Sequence, residues 1–175
     1  KEREVVGIYI SAHPLDDYIR ELNNFTSSGL STLNDLNRLI NKDFYVGGII
    51  NEVEHLQSKT GNGFAVFSFE DFNDQYKFRI FGEEYLKFKH LLEENKILRL
   101  RLNVREGWTN KETGRAGDPR IQFLNIELLD GIINSNSKKI TLKVDSKSIK
   151  NDDILKLKFT LSKYKGSCPV YFDIN

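Results

Sequence analysis

The sequence predicts a mainly β fold with accompanying helices: a five-stranded barrel, helices ahead of it and a small βαβ-like segment behind it. Three observations predict it. Between residues 43 and 126, apolar and polar residues alternate in five runs at the period of two that suits half-buried strands. One stretch among them, Gly82 to Asn95, switches to helical spacing. Turn-forming clusters, Lys59-Thr60-Gly61-Asn62-Gly63 and Asn73-Asp74, separate the first three runs as hairpins require.

Pro14 suits a first helical turn, and Leu15, Tyr18, Ile19 and Leu22 recur on one face, so residues 14–24 read as an amphipathic helix. His13 reads as a cap or packing residue at that junction, since no neighbour would orient it as a base. Thr32 as N-cap with Asp35 three positions on, and Leu33, Leu36, Leu39 and Ile40 on one side, predict a short helix over 32–40.

Strand 1 is expected at about 43–56, coiled or bulged at Gly47-Gly48. Strand 2 sets Ala65, Phe67 and Phe69 against Phe64, Val66 and Ser68. Strand 3 sets Tyr76, Phe78 and Ile80 on one face and Lys77, Arg79 and Phe81 on the other. In the helix that follows, Tyr85, Phe88 or Lys89, Leu91 and Leu92 form the buried stripe, with Glu83-Glu84 near the positive end of the helix dipole. Strand 4, over 96–106, places Leu98, Leu100, Leu102 and Val104 inward and Arg99, Arg101, Asn103 and Arg105 outward. Gly107 to Pro119 is a polar loop, and Arg120 to Ile126 is strand 5.

Three strands, a helix and two strands is the order of the OB barrel, although a generic small β-barrel or a mixed α+β sheet gives the same one-dimensional pattern. Asn134-Ser135-Asn136-Ser137 reads as a linker. Beyond it, strands over 139–144 and 169–174 flank a helix at about 151–164, the beginning of a βαβ-like unit. The expected division is a helical lead-in over 1–42, the barrel over 43–130, a linker over 131–138 and a further unit starting at 139–175.

Composition excludes more than it assigns. The 175 residues carry a net charge of +1, so a polyanion partner would have to be held by local arrangement rather than by overall charge. Cys168 stands alone and cannot form an intramolecular disulfide, and His13, His55 and His90 are too scattered for a zinc constellation. A reduced, cytoplasmic setting is expected, with no membrane span and no signal-peptide core. The absence of Met from the chain fits a piece of something longer.

The sequence holds no Gly-x-Ser-x-Gly elbow, Walker loop, dinucleotide fingerprint or His-Glu-x-x-His. Asp16-Asp17 and Asp152-Asp153 are adjacent pairs on helices, where neighbours diverge by about a hundred degrees, and they read as solvated or helix-end charge rather than as a metal site. Thr60-Gly61-Asn62-Gly63 reads as a hairpin turn rather than as a phosphate cradle.

The string Glu4-Val5-Val6-Gly7-Ile8-Tyr9-Ile10-Ser11-Ala12-His13-Pro14-Leu15-Asp16 resembles the segment that leads into the OB domain of the bacterial DNA polymerase III alpha subunit. The stretch from Val46-Gly47-Gly48-Ile49-Ile50 to Lys59-Thr60-Gly61-Asn62-Gly63-Phe64-Ala65, then Phe69-Glu70-Asp71 and Ile80-Phe81, continues the resemblance over roughly residues 1–130. Residues 139–175 are more loosely similar to the start of that family's tau-binding domain. The resemblance implies a module of a DNA-directed DNA polymerase, a nucleotidyltransferase that uses magnesium on catalytic aspartates lying outside the matched segment. This fragment itself is then expected to need no cofactor. The partners it implies are single-stranded DNA and other replisome subunits, the sliding clamp and tau.

OB folds commonly take single-stranded nucleic acid across strands 2 and 3, between the loops joining strands 1–2 and 4–5. The residues that suit this chemistry are Phe64, Val66, Lys77, Arg79 and Phe81 on the outward face, Lys59 in the first loop, and Trp108, Lys111 and Arg115 in the second. Arg99, Arg101 and Arg105 form a further basic stripe on strand 4. The competing explanation is that any barrel alternates polar residues outward, with Phe64 and Phe81 packing under a neighbouring domain. A protein-interaction module docking other replisome subunits is the corresponding second function.

Overall fold

A computed structural model describes residues 13–107, 117–166 and 168–175. They divide into two compact units between Asp130 and Gly131. The first contains strands β1 (Asp43–Gln57), β2 (Gly63–Glu70), β3 (Gln75–Phe81), β4 (Ile97–Arg105) and β5 (Arg120–Leu128). Helix α1 (Ile19–Phe25) precedes the sheet, and α2 (Gly82–Phe88) lies between β3 and β4.

All pairings in this sheet are antiparallel, in the order β3-β2-β1-β4-β5. That is the order of an OB barrel opened between β3 and β5. Among the described residues no ladder joins those two strands, so the sheet is curled rather than closed. Strand β1 produces the curl by serving two partners in succession, pairing with β4 over Asp43–Ile49 and with β2 over Ile49–Gln57, with a bulge between Ile50 and Glu52. As a result the two edge strands meet inside: Phe78 of β3 and Phe123 of β5 have ring centroids 5.6 Å apart, and Phe67 of β2 lies 6.0 Å from Phe123.

The inward alternation is that expected from the sequence. Ala65, Phe67, Phe69, Phe78, Ile80, Leu98, Leu100, Leu102 and Val104 are buried in one core with Phe88 and Leu92. The helical expectations need adjustment at their ends. The first helix begins as a 3-10 turn at Asp16–Tyr18 before α1, and the third continues past α2 as a 3-10 turn over Lys89–Leu91 rather than running to residue 95.

The helix expected over 32–40 is not α-helical. It is two 3-10 turns, Leu30–Asn34 and Leu36–Leu39. Thr32 does not cap it, because its hydroxyl donates back to the Gly29 carbonyl. The polar anchor is instead Asp71, after β2: its Oδ2 accepts the Leu30 N–H at 2.7 Å, and its Oδ1 accepts the Asn73 and Asp74 N–H groups at 2.8 Å each. One carboxylate thereby ties the β2–β3 turn to the segment entering the sheet. Asp71→Ala should destabilise the first unit by about 2 kcal/mol, read by urea denaturation, because it leaves a partly buried N–H without its acceptor. A loss under about 0.5 kcal/mol would mean that apolar packing of Leu30 alone holds this segment.

The His13 ring Nδ1 accepts the Leu15 N–H at 3.1 Å while its own backbone N–H donates to Asp16 Oδ2 at 2.9 Å, so His13 does cap this turn. The rest of the opening motif, through Ala12, lies outside the described residues.

The second unit contains α3 (Ile132–Asn136), β6 (Ile140–Val144), α4 (Asn151–Lys163) and β7 (Val170–Ile174). Residues 131–138, read as a linker from sequence, therefore include one short helix. Strands β6 and β7 pair in parallel, as a βαβ crossover requires. No described residue from 139 onward is buried. A cleft of about 640 Å³ beside α4 is lined by Leu157, Leu161, Phe172 and Ile174, among others. Parallel strands are normally covered on both faces, and this pair is not.

Candidate nucleic-acid interface

On the outer face of the sheet, strand register brings five of the residues expected for binding into one patch. Phe64 lies opposite Phe81, and Val66 lies opposite Arg79. Lys77 lies opposite Ser68. The Phe64 and Phe81 rings stack on each other with centroids 5.2 Å apart and planes 22° from parallel. Phe81 keeps 54% of its surface exposed, Phe64 is half-buried, and Lys77 and Arg79 are exposed. An apolar ring pair with two cations on the same strand offers stacking and phosphate contact within one nucleotide's reach.

Lys59 sits in the β1–β2 turn, which closes through Gly61 at φ +83. The turn is held by the Ser58 N–H donating to the Asn62 carbonyl and by the Asn62 N–H donating to the Ser58 hydroxyl, which explains the Gly-Asn-Gly composition without a bound phosphate. Trp108, Lys111 and Arg115 lie outside the described residues.

Extending the register to β1 completes three rows across the face. They run Phe81–Phe64–Leu56, Arg79–Val66–Glu54 and Lys77–Ser68–Glu52. The first row is apolar, and the other two run from cationic on β3 to acidic on β1, over two strand spacings of ~4.8 Å each. Glu52 and Glu54 were not singled out from the sequence, although their alternation with Val53 carries the signal. They make the β1 side unfavourable for phosphate and leave the β3 edge as the favourable side.

The arginines of β4 are mostly occupied. Arg99 is buried, donating through Nη2 and Nε to Glu127 at 2.7 and 3.0 Å and through Nη1 to the Phe25 carbonyl at 3.2 Å, over the Tyr45 ring. It ties α1 to the sheet. Arg101 pairs with Asp43 at 2.8 Å, and the Asn103 amide together with that guanidinium holds the Asp43 carboxyl below its ordinary value. The stripe therefore does not act as one free basic surface. Arg105 alone keeps both Nη groups without a described partner, its Nε donating to Gln122 Oε1 at 3.0 Å.

Among the described residues, no group of three or more His, Cys, Asp or Glu side chains is placed to hold a metal ion. No helix among them is long and apolar enough to cross a membrane.

No protein-family model matches the chain. Individual proteins do. A DNA polymerase III subunit alpha from Borreliella burgdorferi is 30% identical over 165 residues, which is 86% of this chain. Those from Saccharopolyspora erythraea and Bacillus subtilis are 27% and 24% identical, each over 97% of it. The chain is homologous to part of the DNA polymerase III alpha subunit. It spans 14% of the length of these curated relatives. Among solved structures, a Leishmania major protein described as an aspartyl-tRNA synthetase superposes over 70% of this chain and 22% of its own, at 10% identity and a TM-score of 0.39. That likeness is too low to assign anything to an alpha-subunit segment.

Proposed function

We propose that this segment serves DNA replication in the cytoplasm by holding single-stranded template on the outer face of β2 and β3, as an OB-type module of a DNA polymerase III alpha subunit. The observation that carries the reading is the Phe64–Phe81 stack flanked on β3 by exposed Arg79 and Lys77. A base stacks on the open face of Phe81 while the adjoining phosphates meet the two cations, an arrangement indifferent to sequence because every base has a π-face. Glu52 and Glu54 keep the backbone off the β1 side. Nucleotidyl transfer, with its magnesium, belongs to the whole polymerase subunit, and no step of it is assigned to residues of this chain.

Anisotropy of a labelled single-stranded oligonucleotide at several salt concentrations tests this. Lys77→Ala with Arg79→Ala should weaken binding and lower the slope of log affinity against log salt by about 1.4, two contacts of roughly 0.7 each. Phe81→Ala should cost about 1–3 kcal/mol with little change in slope. A double variant that binds as well as the parent with the same slope would remove this face as the DNA site.

Protein contacts attach more naturally to the second unit. The uncovered apolar cleft beside α4 supports a role in docking other replisome subunits, with tau the expected partner and the sliding clamp a further one. Loss of tau binding on Leu157→Asp, with oligonucleotide binding unchanged, is the result that supports that assignment.

A further inference from the structure

We infer that the open seam between β3 and β5 is a phosphate-binding trough, so that the single-stranded backbone continues from the Phe64–Phe81 face across the edge of the sheet. The inference rests on the single-strand reading and names residues that reading does not use. A cleft of about 430 Å³ at the seam is lined by Arg79 of β3, Arg105 at the end of β4, Arg120 at the start of β5, and Phe81, Glu84 and Gln122. A second cleft of about 360 Å³ shares Arg79, Phe81 and Arg120 and extends along β3 to Lys77. The two clefts thus border the same three side chains.

Four features make the trough suited to phosphodiester anions. Arg79 and Arg120 form no ion pair and no side-chain hydrogen bond with another described residue, unlike Arg99 and Arg101. Gln122 holds Arg105 at Nε and leaves its two Nη groups open, a geometry that presents a guanidinium to phosphate with little further loss of freedom. Strands β3 and β5 share no ladder, so edge N–H groups face the seam without strand partners. The only carboxylate among the described wall residues, Glu84, is half-buried; burial pushes its carboxyl above the ordinary value, although it accepts the Phe123 N–H at 3.2 Å. Three guanidiniums thus face one carboxylate that is itself poorly solvated.

The β4 and β5 arginines are therefore expected to count phosphates and the β2–β3 rings to hold bases. Arg105→Ala with Arg120→Ala in the 175-residue chain, checked for an unchanged melting curve, should weaken binding of a labelled single-stranded oligonucleotide by about tenfold at low salt and lower the salt slope by about 1.4. An abasic oligonucleotide of equal length should retain this dependence on Arg105 and Arg120 while becoming insensitive to Phe81→Ala. Glu84→Gln, which keeps an acceptor for the Phe123 N–H, should tighten binding of both. Oligonucleotide binding that responds to Lys77, Arg79 and Phe81 but not to Arg105 and Arg120 overturns the trough and leaves the single-strand face standing. If no oligonucleotide binds even the parent chain, the single-strand reading fails. Inorganic tripolyphosphate then decides the trough: failure to shift the backbone amide resonances of Arg105 and Arg120 shows that it binds no anion, and a shift without oligonucleotide binding overturns its assignment to a nucleic-acid backbone.

Discussion

Replacing Gly48 by Ala is expected to destabilise the first unit by about 3 kcal/mol, lowering its melting temperature by roughly 10 °C. Gly48 lies in the stretch of β1 that pairs with β4, immediately before the chain turns to pair with β2. A methyl group there would lie inside contact distance of the Glu70 carbonyl oxygen and 2.9 Å from its carbon. Because the obstacle is backbone of the neighbouring strand, no rotamer change relieves it, and β1 and β2 must separate where the sheet bends. Gly47 provides the control. Its added methyl would meet the Leu22 and Thr26 side chains, which can turn aside, so Gly47→Ala should cost less. Chemical denaturation of both variants makes the comparison, and equal losses would locate the constraint in the α1 packing rather than in the bend.

Phe78→Ala should cost about 4 kcal/mol, the usual toll of emptying an aromatic site in a core. The ring is 1% exposed and touches Phe67 at 5.3 Å, Phe69 at 6.0 Å, Tyr76 at 4.7 Å and Phe123 at 5.6 Å between centroids. Only the last of these contacts crosses from one edge of the sheet to the other. A double-mutant cycle with Phe123→Ala should therefore give a coupling of about 1 kcal/mol, since both rings share one site across the unclosed seam. Additive losses would mean that β3 and β5 do not fold over a common core in solution. Both variants should also weaken oligonucleotide binding, because the trough exists only while those edges face each other.

The alternation in β2, β3 and β4 was readable because side-chain direction in a strand depends on adjacent residues alone. Alternation by itself thus assigns Phe64, Val66, Lys77, Arg79 and Phe81 to one face. The 32–40 segment reads as one helix because its capping pattern is local, whereas the group that holds it, the Asp71 carboxylate, is forty-one residues from the Leu30 N–H that it accepts. Arg99 and Arg101 looked like free cations for the same reason: Glu127 and Asp43, which occupy them, come from other strands.

The sequence alone determined which residues form strands, which face each presents and that the chain resembles an alpha-subunit segment, since periodicity, turn chemistry and motif are properties of neighbouring residues. Tertiary structure decided which faces meet. The register that lines Glu52 and Glu54 up with Lys77 and Arg79 depends on a bulge in β1, and the convergence of Arg79, Arg105 and Arg120 depends on curling the sheet until its two edges share a core. Both are consequences of long-range pairing, in which a one-residue slip would carry every side chain to the opposite face.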